Sequence, residues 1–333
     1  MNKRYMIGVD GGGTKTDYLL FTTEGEWIDS LRVGSRSHEV VDGGFAEAEA
    51  LILSDLEGIC RKNGITKDLI AGAAFGMAGI DTPKQLATIK KILNKTEIKN
   101  YVVANDSILG IKAGCPSGVG ICSINGTGTV ASGINEKGEI LQVGGIGFAT
   151  GDSGGGHYLA SLAIRAVYDY YFRCGTKTIL TELIMNYFKI EDPMELTNVI
   201  SDVFYVTRSI DKELVTFLFQ AAGENDEVAM NIVREVANQL AKSVSGCIKG
   251  LDFKGNPEVI LAGSVWTKSN CPLLLKHFRE QINLYTGKDI HPLLLHVIPA
   301  AGAVLWAMEL VQKHPATLEQ RKLIVNHKAL QNL

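Results

Sequence analysis

The order of apolar segments predicts an α/β protein made of two similar halves with a cleft between them. Three strand-like segments separated by glycine turns open the chain, and helix-like and strand-like segments then alternate up to residue 113. The same order begins again at residue 120. Strands that alternate with helices build layered α/β domains, and two facing domains form the kind of cleft in which ligands usually bind.

The elements of the first half are predicted from periodicity and turn residues. Alternating apolar residues favour strands, whereas apolar residues that recur every three or four positions favour helices. In order, the predicted elements are strands at 5–9, 18–21 and 27–33, a helix from Asp42 to the stop at Asn63-Gly64, a strand at 69–75, a helix at 83–93, a strand at 101–104 and a helix at 107–113.

The second half follows a glycine-rich link at 114–118. Its predicted elements are strands at 120–124, 129–134 and 139–143, a helix at 157–172, further helices up to residue 190, a long amphipathic helix, a strand at 258–261, a helix at 273–284, a strand at 294–298 and a helix at 301–311. One face of the long helix carries Val228, Ile232, Val236, Leu240, Val244 and Ile248. We therefore expect a first domain of residues 1–113, a second domain of 114–314 with a helical insertion, and a tail of 315–333 that packs on the first domain.

Composition excludes several classes of function. The chain has 33 Lys+Arg against 36 Asp+Glu and a net charge of −3, so it has no general attraction for nucleic acid or anionic lipid. No apolar stretch approaches the roughly 18 residues of a membrane span, and no apolar leader opens the chain, which predicts a cytoplasmic protein. The six cysteines form no C-x-x-C pair, which argues against a zinc or iron–sulfur site.

The first glycine cluster follows Asp10 and consists of Gly11, Gly12 and Gly13, with Thr14 and Lys15 after it. A P-loop would need lysine where Thr14 stands, and a dinucleotide fingerprint would need glycine at position 16 and a helix afterwards. What remains is a hairpin that can offer backbone N–H groups, a hydroxyl and an ammonium to phosphates, while Asp10 orients a hydrated Mg²⁺. The alternative is a plain turn between two strands.

A second glycine cluster occupies the matching place in the second half. Gly126, Thr127, Gly128 and Thr129 lie between two predicted strands and form a hairpin of the same chemical type. One such hairpin in each half predicts a polyphosphate held between the domains. A plain β-turn is again the alternative, but two turns of this kind at corresponding places make it less favoured.

Asp106 lies at the carboxyl end of the predicted strand 101–104, where open α/β sheets place their ligands. A carboxylate there can accept the proton of an attacking hydroxyl. The alternative is a helix start at which Asp106 or Ser107 is the N-cap. His38 lies in a polar loop and can face the cleft, although a solvated loop histidine is the simpler interpretation.

The segment 151–155, Gly-Asp-Ser-Gly-Gly, matches the surroundings of the nucleophile in serine hydrolases. Long helices around the motif argue against a trypsin-like protease, and the glycine-rich residues 144–148 make a poor strand before an α/β-hydrolase serine. His277, His291 and His296 lie downstream and keep the hydrolase as an alternative. The favoured interpretation is a helix start that closes on a ligand, with Asp152 accepting hydroxyl hydrogens.

Five motifs in a fixed order carry a family resemblance: GVDGGGTKT, AND, INGTGT, GDSGG and LAGSVW. The chain resembles the BadF/BadG/BcrA/BcrD-type ATPase family, and within it the N-acetylglucosamine kinases, of the actin-like sugar kinase and heat-shock ATPase superfamily. The resemblance spans nearly the whole chain. It implies two actin-like (ribonuclease H-like) domains, each a mixed five-stranded sheet with flanking helices, that close over ATP, Mg²⁺ and a sugar.

The resemblance also assigns roles to the motif residues. It implies that residues 10–16 and 126–129 are the two phosphate loops, that Asp106 is the catalytic base, and that Gly263 and Ser264 lie in the turn under the adenosine. Sugar-binding positions of the family fall on Gly145, Gly147 and Asp152, and Thr129 and His38 are candidates beside them. Ser37 stands where the family has a sugar-binding asparagine, and Val130 and Ile146 replace a polar and an aromatic residue of the vertebrate enzymes. These departures leave the identity of the sugar open.

The implied activity is ATP-dependent phosphorylation of the 6-hydroxyl of an amino sugar, with N-acetylglucosamine, N-acetylmuramic acid and glucosamine as candidates. An ATPase that regulates or activates a partner protein is the alternative. One branch of the family activates 2-hydroxyacyl-CoA dehydratases and carries a cysteine in the second glycine loop; residues 125–129 contain none. Similar kinases are commonly homodimers, so we expect a homodimer here.

Overall fold

The computed structural model describes residues 3–203 and 212–331, which form two five-stranded sheets and the helices around them. The first sheet consists of β1 (Tyr5–Gly11), β2 (Lys15–Thr22), β3 (Trp27–Gly34), β4 (Ile70–Met77) and β5 (Tyr101–Ala104). The second consists of β6 (Gly120–Asn125), β7 (Thr129–Ile134), β8 (Ile140–Gly144), β9 (Val259–Ala262) and β10 (Leu293–Leu294).

Both sheets have the same topology. The strand orders are β3-β2-β1-β4-β5 and β8-β7-β6-β9-β10, so each strand of the first sheet has a counterpart in the second. In each sheet the first three strands pair antiparallel and the last two join in parallel. The repetition predicted from the order of segments is therefore a repetition of topology.

The helices occupy three places. On the outer face of the first sheet are α1 (Gly44–Lys62) and α2 (Pro83–Asn94). The second sheet packs against α8 (Glu227–Gly250) and shares one hydrophobic core with α4 (Gly156–Phe172), α5 (Ile179–Phe188), α7 (Lys212–Gly223) and α10 (Pro272–Thr286), with the short α6 (Leu196–Ser201) and α9 (Ser264–Lys268) beside them. The rest are α3 (Ser107–Gly114), α11 (Pro299–Gln312), α12 (Leu318–Val325) and α13 (Lys328–Gln331). None of the described helices is long and apolar enough to cross a membrane.

The helices α3 and α11 form a core that both sheets share. They touch so closely that a Cβ on Gly302 would lie 2.1 Å from the backbone oxygen of Leu109. A Cβ on Gly8 of β1 would similarly lie 2.6 Å from the backbone nitrogen of Val304. Because α3 leads directly into the link to β6, these tight contacts lie where the two sheets are joined.

Two features differ from the predicted organisation. The predicted strand 294–298 is wrong in extent, because β10 contains two residues and the chain leaves the second sheet after Leu295 donates to the oxygen of Leu261 at 2.9 Å. From there the chain continues into α11. This helix packs on β1 and β4 of the first sheet, whereas the predicted boundaries place it in the second domain. The tail contacts the first half too, since His327 stacks on Trp27 with ring centroids 5.2 Å apart.

Candidate active site

The turn between β1 and β2 consists of Gly12, Gly13 and the exposed Thr14. The Gly12 nitrogen donates to the oxygen of Lys15 at 2.8 Å, and the Ser35 hydroxyl donates to the oxygen of Gly12 at 2.9 Å. None of Gly11, Gly12 and Gly13 has a positive φ, and a Cβ on Gly13 would meet nothing within 4 Å. Neither backbone strain nor crowding therefore explains why residue 13 is glycine. Its bare backbone faces open space, as a surface that approaches a ligand must.

Lys15 is held at the edge of this turn by a buried carboxylate. Its Nζ lies 3.4 Å from Asp17 Oδ2, and Arg32 binds the same carboxylate through Nε at 2.6 Å and Nη2 at 2.8 Å. Asp17 is buried, whereas the Lys15 side chain is 48% exposed. The ammonium is thus oriented and still accessible to an anion in the cleft.

Asp10 is a half-buried residue next to the end of β1, and its charge is unfavourable there. Burial, with the negative charges of Asp106 and Asp17, raises its pKa to about 7. A nearby cation would relieve this cost. The part of the chain that the structure describes contains no group of three or more His, Cys, Asp or Glu side chains that could hold a metal ion. Mg²⁺ usually takes one or two carboxylates and fills its shell with phosphate oxygens and water, so Asp10 fits a magnesium–nucleotide complex.

Asp106 lies at the junction of β5 and α3, on the same sheet edge as Asp10. Burial and the nearby Asp81 carboxylate raise its pKa to about 6. It is the N-cap residue of α3, as the alternative interpretation expected, but its side chain forms no cap hydrogen bond, so capping does not account for the carboxylate. The Ser107 side chain is hydrogen-bonded instead to Asn105 and to Ser132 of β7, both at 2.6 Å. The carboxylate is therefore positioned by the fold without being used to begin the helix.

The second glycine turn meets the N-terminus of a long helix. The Gly156 nitrogen, at the start of α4, donates to the oxygen of Gly126 at 2.7 Å. A Cβ on Gly155 would lie 2.3 Å from the oxygen of Thr127, whereas Cβ atoms on Gly126 and Gly128 would meet nothing within 4 Å. The turn is again bare toward open space, and the positive end of the α4 dipole lies against it. Helix N-termini of this kind favour phosphate groups.

A cavity of about 490 Å³ adjoins the second turn. Gly126, Thr127 and Ser264 line it, together with apolar side chains such as Val265 and Phe219. The wall under it is the turn from β9 to α9, where Gly263 has φ +97° and a Cβ would lie 2.4 Å from the backbone oxygen of Asn125. Glycine is required at this position because both the dihedral angle and the contact exclude a side chain. The predicted adenosine turn and the second phosphate turn thus border one cavity with mixed polar and apolar walls, as nucleoside sites have.

The loop after β8 brings the predicted sugar residues of the second half together. Asp152 Oδ1 accepts a hydrogen bond from the Gly145 nitrogen at 2.9 Å, and Oδ2 accepts from the Gly147 nitrogen. Asp152 thus shapes the loop through both of its carboxylate oxygens. Thr129, at the start of β7, packs through its methyl group near Gly154. On the same loop Phe148 is 83% exposed.

The serine hydrolase interpretation has no support in this geometry. A nucleophile serine of an α/β-hydrolase follows a strand directly, whereas Ser153 follows the 3₁₀ turn Phe148–Thr150 and is buried. Two of the three downstream histidines are engaged elsewhere, because His277 contacts Glu280 at 3.5 Å and His291 contacts Asp289 at 3.4 Å.

Ser37 and His38 form the opposite rim of the cleft, in the first half. Ser37 is buried, and a Cβ on Gly79 would lie 2.9 Å from its hydroxyl oxygen. The interpretation of His38 as a solvated loop residue is wrong, because its side chain is 9% exposed and stacks on Phe45 with ring centroids 3.8 Å apart. Burial lowers the His38 pKa, so the imidazole is neutral near pH 7.

Two cleft residues were missed from the sequence. Asp81, just after β4, accepts hydrogen bonds from Gln142 of β8 and from Asn105 after β5. Asp106 was predicted because it follows a strand, and Asp81 also follows a strand. The same sequence pattern could therefore have identified Asp81 as a site residue. Gln142 has no such signal, because it is a polar residue inside a predicted strand whose partner lies 61 residues away.

Two curated relatives are similar over most of their length. The N-acetylmuramic acid/N-acetylglucosamine kinase of Clostridium acetobutylicum is 28% identical over 289 residues, 84% of this chain and 91% of the relative. The N-acetyl-D-glucosamine kinase of Dictyostelium discoideum is 28% identical over 323 residues, 92% of this chain and 99% of the relative. The prediction that the chain is an enzyme, a phosphotransferase with an alcohol acceptor, is confirmed.

The predicted fold class is confirmed as well. The solved structure of a ROK hexokinase from Thermus thermophilus matches with a TM-score of 0.54 at 16% identity, covering 92% of this chain and 99% of that one. The sequence model described as the BadF/BadG/BcrA/BcrD ATPase family matches residues 7–307. This range covers most of the chain and includes both glycine turns, Asp106 and the turn at Gly263. The chain therefore belongs to the BadF/BadG/BcrA/BcrD ATPase family.

Proposed function

We propose that this ATPase-family protein is an ATP-dependent kinase that phosphorylates the 6-hydroxyl of an amino sugar. N-acetylglucosamine is the first candidate, and N-acetylmuramic acid and glucosamine are the other two. The observation that carries the proposal is Asp106, a half-buried carboxylate with a pKa raised to about 6, on the same sheet edge as Asp10 and the first glycine turn. The names of the two curated relatives support an amino sugar as the acceptor.

In this proposal Asp106 accepts the proton of the attacking hydroxyl. A carboxylate with a pKa of about 6 is ionised at pH 7 and is more basic than an ordinary aspartate, so it is a better general base. Its ordered neighbours Asn105 and Ser107 restrict its movement. The proton therefore passes from the hydroxyl to Asp106 as the oxygen bonds to the terminal phosphorus, and the bond from that phosphorus to ADP breaks, so that ADP leaves.

The two glycine turns and Lys15 stabilise the charge of the transferred group. Backbone N–H groups of the turns and the α4 N-terminus would contact the phosphate oxygens, and the exposed ammonium would reach the terminal one. Asp10 would hold Mg²⁺, which would supply additional positive charge to the phosphate groups. Ser37, His38, Thr129, Gly145, Gly147 and Asp152 would surround the sugar. Water must be excluded during transfer, so we expect the two halves to close on the bound sugar.

A coupled ADP-release assay over a panel of sugars tests the proposal. The panel contains N-acetylglucosamine, N-acetylmuramic acid, glucosamine, glucose and N-acetylmannosamine, each with and without Mg²⁺. We expect ADP release that depends on an amino sugar and a product phosphorylated at the 6-position by NMR. ATP hydrolysis that no sugar stimulates would refute a sugar kinase and favour the alternative, an ATPase that acts on a partner protein.

We further propose a homodimer in the cytoplasm, as is common among similar kinases. Light scattering during size-exclusion chromatography measures the mass of the particle. A mass near 36 kDa, that of a single chain, would contradict the dimer.

A further inference from the structure

A carboxylate outside the predicted site lies between the two sheets. Asp81 follows β4 and is half-buried. Its Oδ1 accepts hydrogen bonds from Gln142 Nε2 at 2.7 Å and from Asn105 Nδ2 at 3.1 Å. Because Gln142 belongs to β8 of the second sheet, the first of these bonds crosses the cleft.

The position of Asp81 is determined on both sides. Asn105 Oδ1 accepts from the Ser107 nitrogen at 3.0 Å and is 2.6 Å from the Ser107 hydroxyl, so the Asn105 amide nitrogen must turn toward Asp81. The Asp81 nitrogen itself donates to Gln85 Oε1 at 3.0 Å. Asn105 and Ser107 are the chain neighbours of Asp106, so the carboxylate of Asp81 is connected to the segment that carries the proposed base.

Asp81 also lies between the two groups of predicted sugar residues. A Cβ on Gly145, in the loop of the second half, would lie 3.2 Å from Asp81 Oδ1. Gly79 lies two residues before Asp81. A Cβ on Gly79 would lie 2.9 Å from the Ser37 hydroxyl oxygen and 3.1 Å from the His38 ring, both in the first half. A sugar that contacts both Ser37 and His38 on one side and the loop of Gly145 on the other would therefore lie next to the Asp81 carboxylate.

A role of Asp81 in holding the two sheets together would not require a charged side chain. The bonds to Gln142 and Asn105 use one oxygen of Asp81, and within residues 3–203 and 212–331 Oδ2 has no hydrogen-bond partner. The charged groups that face it are mainly acidic: Glu39, Asp106 and Asp152, with His38 as the basic exception. An ionised carboxylate in such surroundings is costly unless hydroxyl donors reach it.

We infer that Asp81 binds the sugar directly, its Oδ2 accepting a hydrogen bond from a ring hydroxyl other than the one that is phosphorylated. Asp81 thereby discriminates among sugars by the presence and orientation of that hydroxyl. The inference rests on the proposed sugar kinase activity. The bond from Gln142 holds the carboxylate in place and connects the sugar-binding loop at 144–152 with the first sheet.

The test measures how Asp81→Asn changes the enzyme's response to sugars that lack one hydroxyl. The wild type, Asp81→Asn and Gln142→Leu are assayed with the best sugar of the panel and with its 3-deoxy and 4-deoxy analogues. In the wild type, one analogue should lose about tenfold or more in kcat/KM, because a hydrogen bond to a charged group is lost. In Asp81→Asn that loss should shrink to about twofold, while the KM for the complete sugar rises about tenfold and the KM for ATP stays within about twofold.

Gln142→Leu is the matched control, because it breaks the bond across the cleft and keeps the carboxylate. We expect it to retain most of the loss on the deoxy analogue. Urea denaturation verifies that each variant is folded. If Asp81→Asn keeps the wild-type loss for both analogues, Asp81 does not bind the sugar and the kinase proposal stands. If the wild type itself shows no sugar-dependent turnover, the kinase proposal and this inference both fail.

Discussion

Replacing Asp106 by asparagine should strongly lower the activity of the protein and raise its stability in the same variant. The asparagine side chain has nearly the same shape but cannot accept the proton of the attacking hydroxyl. General base catalysis typically contributes 10²–10⁴-fold, so we expect kcat to fall by about that factor in Asp106→Asn. The KM values should change less, because the shape of the cleft is preserved.

The expected gain in stability follows from the cost of burying the charge. The pKa of Asp106 rises from 3.8 to about 6, chiefly because of burial. One pKa unit corresponds to about 1.4 kcal/mol, so ionised Asp106 costs on the order of 3 kcal/mol of unfolding free energy at pH 7 and above. The folded protein binds the proton more tightly than the unfolded chain. Stability from this group is therefore complete below about pH 4 and is lost as the pH rises through about 6.

Urea denaturation between pH 5 and pH 8 measures the effect. At pH 8 Asp106→Asn should be more stable than the wild type by up to about 3 kcal/mol, and the difference should shrink as the pH falls toward 5. The wild-type kcat should fall below about pH 6 as the base becomes protonated. Asp252→Asn is the control, since that carboxylate is fully exposed and paired with Lys137. Equal stability of Asp106→Asn and wild type at pH 8, or retained turnover, would refute the reasoning.

Three further substitutions test other parts of the site and fold. Gly263→Ala should raise the KM for ATP and lower the unfolding free energy by about 2–3 kcal/mol, because its Cβ would clash with the backbone oxygen of Asn125; Gly255→Ala, where nothing lies within 4 Å, should change neither. Lys15→Met should lower kcat about tenfold or more without changing the urea midpoint, since this half-exposed ammonium is proposed to contact phosphate, and an unchanged kcat would contradict that role. Arg321→Ala should lower the unfolding free energy by about 2–3 kcal/mol, because its buried guanidinium donates to two carbonyl oxygens at the end of α3 at 3.0 and 2.9 Å; an unchanged urea midpoint would count against it.

Most secondary structure could be predicted because local signals agree with the tertiary environment. The strand 101–104 and the strand 129–134 have the predicted bounds. Of the predicted apolar face of α8, four residues are buried, whereas Val228 and Ile232 are half-buried. The strand predicted at 294–298 failed for a non-local reason. Its apolar residues serve the crossing to α11 and the shared core, which hydrophobicity alone does not distinguish from a strand.

The glycine turns illustrate how far composition can be interpreted. The 36 glycines indicate an adaptable backbone, but Gly13, Gly126 and Gly128 have no positive φ and no crowded neighbour. Their positions in two corresponding hairpins, together with the family motifs, pointed to phosphate. Gly263 is different, because its φ of +97° and the nearby Asn125 oxygen do require glycine. The sequence identifies such clusters. The structure shows which glycines the backbone conformation requires and which leave open space where a ligand can bind.

The sequence by itself determined the α/β class, the repeated order of segments, the two glycine hairpins and the strand-end position of Asp106. Each of these is encoded by neighbours in the chain through periodicity, turn residues and motif spacing. Tertiary structure decided that α11 joins the first sheet, that His38 is packed on Phe45, and that Asp81 meets Gln142 across the cleft. These depend on contacts between residues far apart in sequence, where burial and close packing of whole elements select partners that no local pattern names.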